Sequence, residues 1–168
     1  YSMPYADGLK TGHTDEAGFC LTASAKKGNR RIIGVMTGLK SNKERSDEAD
    51  KMMSWAFREY DNYKLKQKGD KIADVDVWYG VDETVPMVLS QDVVKTIKKS
   101  NRSGVKMTAV YDKPIKAPVN MGQQIGVLKI EVPEAEPYVV PLVAGQTINK
   151  VGLLGKIKAN FKHLILGD

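Results

Sequence analysis

The sequence predicts three consecutive parts of different class: a β-β-α unit, a small all-β sandwich, and an amphipathic helix at the end of the chain. Three observations predict it. A strand–turn–strand pattern followed by a capped helix fills the first third of the 168 residues. Short alternating strands punctuated by prolines fill the middle, and apolar residues recur at helical spacing at the end. The parts are expected at residues 1–63, 64–150 and 151–168.

Residues 19–26 alternate as a strand, and Lys27-Gly28-Asn29-Arg30 supplies Gly and Asn for a turn. Residues 31–37, Arg-Ile-Ile-Gly-Val-Met-Thr, form the returning strand, apolar enough to be buried on both faces. Ser41-Asn42-Lys43-Glu44 is a capping-box pattern that starts a helix at Asn42. Ala49, Met52, Met53, Ala56 and Phe57 follow at helical spacing and mark its inward face. Tyr60 to Tyr63 and the lysine-rich stretch through Asp70 read as a junction. Strands are then expected at 71–79, 85–89, 94–98, 106–111, 124–132 and 138–144. Prolines at 86, 114, 118, 133, 137 and 141 argue against long helices and favour strand edges and turns.

The last segment reads differently. Leu153, Leu154, Ile157, Phe161, Leu164 and Ile165 fall within an arc of about 120° at helical periodicity. Lys156, Lys158, Lys162 and His163 lie off that arc. Such a basic amphipathic helix suits an anionic membrane surface, apolar face among acyl chains and lysines at the headgroups. The other reading is a terminal helix docked on the protein's own core, with Gly152 and Gly155 as a hinge.

With 42% hydrophobic and 27% charged residues the chain reads as globular, and no apolar run of 18 or more residues occurs. No signal peptide is visible at Tyr1-Ser2-Met3-Pro4. The net charge of +6 is spread along the chain without the aromatic interleaving of a nucleic-acid module. No nucleic-acid partner is expected, and a solvated basic surface is the plain reading. Cys20 is the only cysteine, placed on a strand as a small buried hydrophobe. His13 and His163 are far apart, and no cluster has metal-ligand spacing, so neither metal nor cofactor is expected.

Lys10-Thr11-Gly12, followed by His13, carries the chemistry. A lysine beside a nucleophile attracts anionic substrate and lowers neighbouring pKa values. A threonine hydroxyl hydrogen-bonds a carboxylate, and a glycine lets substrate backbone pass close to the strand. His13 could polarise or relay a proton, or simply pack; the plain reading of the tripeptide is a strand with its lysine in solvent. K-T-G is also the third motif of the serine penicillin-recognising enzymes, beside S-x-x-K and S-D-N.

Tyr5 through Phe19 resembles the K-T-G region of the low-molecular-mass penicillin-binding proteins of the D-alanyl-D-alanine carboxypeptidase type. Ala23-Ser24-Ala25, residues 31–36, and Arg45, Glu48, Ala49, Trp55, Ala56 and Phe57 are similar to that family in order and spacing. So are Ile115 to Val119, Gly126 to Leu128, and Pro141 to Val143 leading into the amphipathic tail. The resemblance implies a fragment of the penicillin-binding/β-lactamase-like transpeptidase fold, then the family's β-rich domain and membrane anchor. It implies a serine hydrolase, exported to the periplasmic face of the cytoplasmic membrane, which removes the terminal D-alanine of the peptidoglycan pentapeptide through an acyl-enzyme and is trapped by β-lactams. Lys10 would flank the serine, Thr11 and Gly12 would line the substrate strand, and His13 would stand next to them. Arg45 matches an arginine that binds the substrate's terminal carboxylate; its plain reading is a solvent-facing residue in the first helical turn.

The family's nucleophile and S-x-N motifs have no counterpart. Ser24-Ala25-Lys26-Lys27 fits S-x-x-K formally, but it ends a strand, whereas the chemistry needs serine and lysine one turn apart at a helix start. The chain by itself is therefore expected not to acylate. The competing reading is a non-catalytic β-rich module that binds a membrane surface or the cell wall.

Overall fold

The computed structural model describes residues 3–152. The helical residues expected from 153 to 165 lie outside them. The chain divides into two compact units, residues 3–62 with Thr96–Ser100, and Tyr63–Lys95 with residues 101–152.

In the first unit β1 (Ala6–Thr14), β2 (Gly18–Lys27) and β3 (Arg30–Leu39) form an antiparallel sheet in that order. The helix α1 (Asn42–Glu59) follows. The expected β-β-α pattern thus gains a strand, since the K-T-G segment is itself β1. Gly18 starts β2 at φ +65, where a Cβ would stand 2.8 Å from the Leu39 carbonyl, so the turn from β1 requires glycine.

Ser41 caps α1 as its spacing predicts: its hydroxyl accepts the Glu44 N–H at 3.1 Å. Glu44 departs from the standard box by reaching past Ser41 to the N–H of Lys40, at 2.6 Å. The far end of α1 is held by Arg30, reaching across from β3. Its guanidinium donates to the carbonyls of Phe57 (3.0 Å) and Tyr60, approaches that of Ala56 (3.5 Å), and pairs with Asp61 at 3.3 Å. A cation on the orphan carbonyls of a helix C-terminus satisfies hydrogen bonds and opposes the helix dipole together.

The core of this unit is small. Leu21, Ala23, Ala25, Ala49 and Met53 are buried, with Ile32, Met36, Met52 and Phe57 against them. Gly34 lets the Met52 side chain lie directly on β3. The reading of β3 as buried on both faces is corrected here. Its residues alternate, with Ile33 59% and Val35 67% exposed. An apolar run lacks the period-2 signal that separates a covered face from an open one, and α1 covers only one.

The second unit is built from β strands. The six-stranded sheet runs β8 (Lys106–Val110), β10 (Gln124–Glu131), β11 (Tyr138–Ala144), β6 (Thr84–Leu89), β5 (Lys71–Trp78), β9 (Ile115–Lys116). Only β9 joins in parallel, through Val77↔Ile115. A two-stranded sheet pairs β4 (Tyr60–Lys66) with β7 (Val93–Lys98), of which residues 60–62 and 96–98 are counted with the first unit. A 3-10 helix, Lys99–Gly104, was not foreseen. Nor was β4, which the sequence reading took for a junction. Its inward residues Tyr63 and Leu65 alternate with exposed Asn62 and Lys64, and the lysines hid that alternation.

Val85, Met87 and Leu89 from β6, Leu128 and Ile130 from β10, and Val140, Leu142 and Ala144 from β11 alternate into one core. Two prolines correct the expectation of edges and turns. Pro86 and Pro141 lie in β6 and β11, both interior to the sheet. They are tolerated because the β6–β11 ladder spans only Leu142↔Leu89, Val143↔Val88 and Ala144↔Met87. Each proline stands just past one end, offering only its carbonyl: Pro86 to the Gly145 N–H at 2.7 Å, Pro141 to the Ser90 N–H at 3.3 Å.

Candidate functional site

Strand β1 carries Lys10, Thr11, Gly12 and His13 in line on the outer edge of the first sheet, all exposed. Pairing with β2 sets Lys10 across from Thr22, Thr11 from Leu21, Gly12 from Cys20 and His13 from Phe19. Alternation sends Lys10 and Gly12 to one side and Thr11 and His13 to the other. Lys10, Gly12, Cys20, Thr22, Val35 and Thr37 line a shallow cleft of about 220 Å³. The Lys10 ammonium donates to the Thr11 carbonyl at 3.1 Å.

Cys20 lines this cleft half-buried, not as the fully buried hydrophobe its strand suggested. Its thiol donates to the carbonyls of Ala17 (3.4 Å) and Gly18 (3.6 Å). At Gly12, facing it, a Cβ would meet the Cys20 Cβ at 3.8 Å, an ordinary contact. The glycine therefore keeps the strand surface low without being sterically compelled.

Arg45 comes from the first turn of α1 and is half-buried. One nitrogen, Nη2, donates to Asn42 Oδ1 at 2.7 Å. The other, Nη1, points at the carbonyls of Gly12 (3.3 Å) and Cys20 (3.5 Å). Its Cζ stands 5.6 Å from the centre of the Phe19 ring. The His13 ring stacks on the same phenylalanine, centroids 4.1 Å apart at 36°. The fold thus joins Arg45, Gly12 and His13 around Phe19, whereas Lys10 turns to the cleft.

Phe19 and Asn42 were not singled out in the sequence. A phenylalanine on a strand reads as core, and an asparagine after a capping serine reads as helix start; only the tertiary fold gives either a partner. The same holds for Asp7, which pairs with Arg31 at 2.7 Å. Arg31 also donates to the hydroxyl of Ser24, which is 1% exposed. The hydrogen bond from Arg31 holds the Asp7 carboxyl below its usual range. Lys27 lies 5.0 Å over the Tyr5 ring, so Ser24 and Lys27 do not act as a serine–lysine pair.

A positive side chain, a flat strand edge and a guanidinium within one sheet-and-helix unit can receive an extended, anionic chain end. Residues 1–41 match the family described as D-alanyl-D-alanine carboxypeptidase. Residues 60–150 match penicillin-binding protein 5, C-terminal domain. The D-alanyl-D-alanine carboxypeptidase DacD of Salmonella typhimurium is 34% identical over 95% of this chain and 41% of its own length. DacF of Bacillus subtilis is 34% identical over 92% of this chain and 40% of its own length. The chain spans about two fifths of the length of the curated relatives it matches. Penicillin-binding protein 5 from Haemophilus influenzae superposes with a TM-score of 0.70 at 32% identity, over 87% of this chain and 43% of that one. DacD from Francisella tularensis gives 0.66 at 28% identity, over 89% and 38%. The chain belongs to the penicillin-binding protein 5 family of D-alanyl-D-alanine carboxypeptidases.

Proposed function

We propose that this chain is part of a serine-type D-Ala-D-Ala carboxypeptidase that trims the terminal D-alanine from peptidoglycan pentapeptides. The reaction runs through an acyl-enzyme and is blocked by β-lactams. The observation that carries this reading is the K-T-G strand, in a segment matching the carboxypeptidase family, with Arg45 against its Gly12 carbonyl. The sequence has no S-x-x-K at a helix start, so the nucleophile belongs to the part of the relatives that this chain does not span.

In this reading Lys10 supplies positive charge beside the serine, favouring anionic substrate and the ionised nucleophile. Thr11 and Gly12 offer a strand edge along which the peptide lies extended. Arg45 receives the terminal carboxylate through its planar fork, and His13 stands beside the strand. The basic amphipathic segment that includes Leu153, Leu154, Ile157, Phe161, Leu164 and Ile165 holds the protein at an anionic membrane surface, on the periplasmic face of the cytoplasmic membrane.

Intact mass of the protein from its source, with and without fluorescent penicillin, tests the reading. A species heavier than 18.6 kDa gaining one covalent adduct is expected. A species of 18.6 kDa without adduct would replace it with the non-catalytic β-rich module, in which cell-wall or membrane-surface binding is the function.

A further inference from the structure

Phe19 stands outside the core. It is a large apolar side chain on β2, half-buried, yet it does not join the cluster of Leu21, Ala23, Ala25, Ala49 and Met53. Its ring contacts are two polar groups of the candidate site, the His13 imidazole at 4.1 Å and the Arg45 guanidinium at 5.6 Å. An aromatic face in that role orients a cation without consuming its N–H donors. Its own placement is stiff: His13 and Leu39 flank it across β1 and β3, and the turn before it is fixed by Gly18.

The hydrogen bonds of Arg45 make this orientation necessary. The contacts of Nη1 with Gly12 and Cys20, at 3.3 and 3.5 Å, are long for N–H···O bonds. Only the 2.7 Å bond from Nη2 to Asn42 is short, and one hydrogen bond leaves a guanidinium free to rotate about it. The Phe19 ring, its centre 5.6 Å from Arg45 Cζ, supplies the second constraint. Bidentate recognition of a carboxylate needs the fork held within about 0.5 Å and 10–20° of the productive geometry.

We infer that Phe19 is a positioning residue for carboxylate recognition: with Asn42 it sets the plane of the Arg45 guanidinium at the K-T-G strand and holds His13 beside it. The inference rests on the proposed reading of Arg45 as the group that receives the substrate's terminal carboxylate. It assigns Phe19 no contact with substrate.

The test uses the intact protein from its source with a peptide ending in D-Ala-D-Ala, as the free acid and as the C-terminal amide. Phe19→Leu is expected to raise KM for the acid by about three- to tenfold while leaving kcat within about twofold. The preference for acid over amide should fall by the same factor, and Phe19→Tyr should restore it. Asn42→Ala, which leaves the Ser41 cap in place, should move the preference in the same direction; it carries the test alone if Phe19→Leu does not fold. By proton NMR, the His13 ring resonances should lose their upfield displacement in Phe19→Leu and keep it in Phe19→Tyr. An unchanged acid-to-amide preference in an active Phe19→Leu protein overturns the positioning role alone. So does an equal loss on both substrates accompanied by a lower Tm, the signature of a scaffold defect. Wild-type protein that releases no D-alanine and takes up no penicillin overturns the carboxypeptidase reading and the positioning role with it.

Discussion

The two units solve the problem of burial in different ways. The second encloses its own core: β6, β10 and β11 contribute alternating residues, and Met87, Leu142 and Ile148 show no exposure at all. The first buries one sheet face under one helix, with three alanines among its five buried core residues, and leaves Ile33 and Val35 largely open on the other. The unit with the K-T-G strand has, among the described residues, an open sheet edge and one open face, and leaves apolar area exposed there.

That contrast can be broken by truncating one leucine in each core. Leu142→Ala in the second unit is expected to cost about 4 kcal/mol, because its neighbours are held in a sheet and collapse poorly. Leu21→Ala in the first should cost about 2–3 kcal/mol, since the unbranched side chains of Met36, Met52 and Met53 can shift into the space. Differential scanning calorimetry reads both; equal losses would remove the distinction between the cores. Arg30→Ala sharpens it from the other side. With so thin a core, the first unit depends on the closure of its helix end, and about 2 kcal/mol should be lost. Urea unfolding followed by helical circular dichroism measures that, and a loss below about 0.5 kcal/mol would mean water replaces Arg30 without penalty.

The smallest effect is electrostatic and belongs to the second unit. The Asp92 carboxylate accepts the Lys68 N–H at 2.8 Å and pairs with Lys64 at 3.0 Å, and these hold its pKa below the usual value. A carboxyl whose pKa is depressed by folding stabilises the fold fully above the ordinary aspartate range, about pH 4. That contribution is lost as pH falls through the lowered value. Asp92→Asn should therefore flatten the acid limb of a Tm-against-pH curve and shift Tm by about 2 °C or less at neutral pH. A wild-type limb that Asp92→Asn leaves unaltered would assign the acid sensitivity elsewhere.

Local signals in the sequence were read where the chemistry itself is local. Ser41 with Glu44 starts α1 within a few residues, and the spacing of Ala49, Met52, Met53 and Phe57 marks its buried face. The alternation of β5, β6, β10 and β11 follows from side chains entering one core. What escaped depends on partners far along the chain. The open face of β3 depends on how many layers cover it, and β4 was masked by its lysines. Lys10, Thr11, Gly12 and Arg45 stand out as residue types, but the 26-residue separation of Phe19 from Arg45 carries no periodic signal. A stacking surface assembled across a sheet and a helix exists only after folding.

One further consequence lies in Pro86 and Pro141, at the two ends of the β6–β11 ladder. A one-residue slip that sets Pro86 opposite Ala144 and Pro141 opposite Leu89 would push two residues with no N–H into the paired region, where donors are needed. It would also turn the buried Leu142 and Met87 outward. The two prolines therefore act together as a stop against slippage in one direction, and the burial of Leu142 and Met87 is what opposes it in the other.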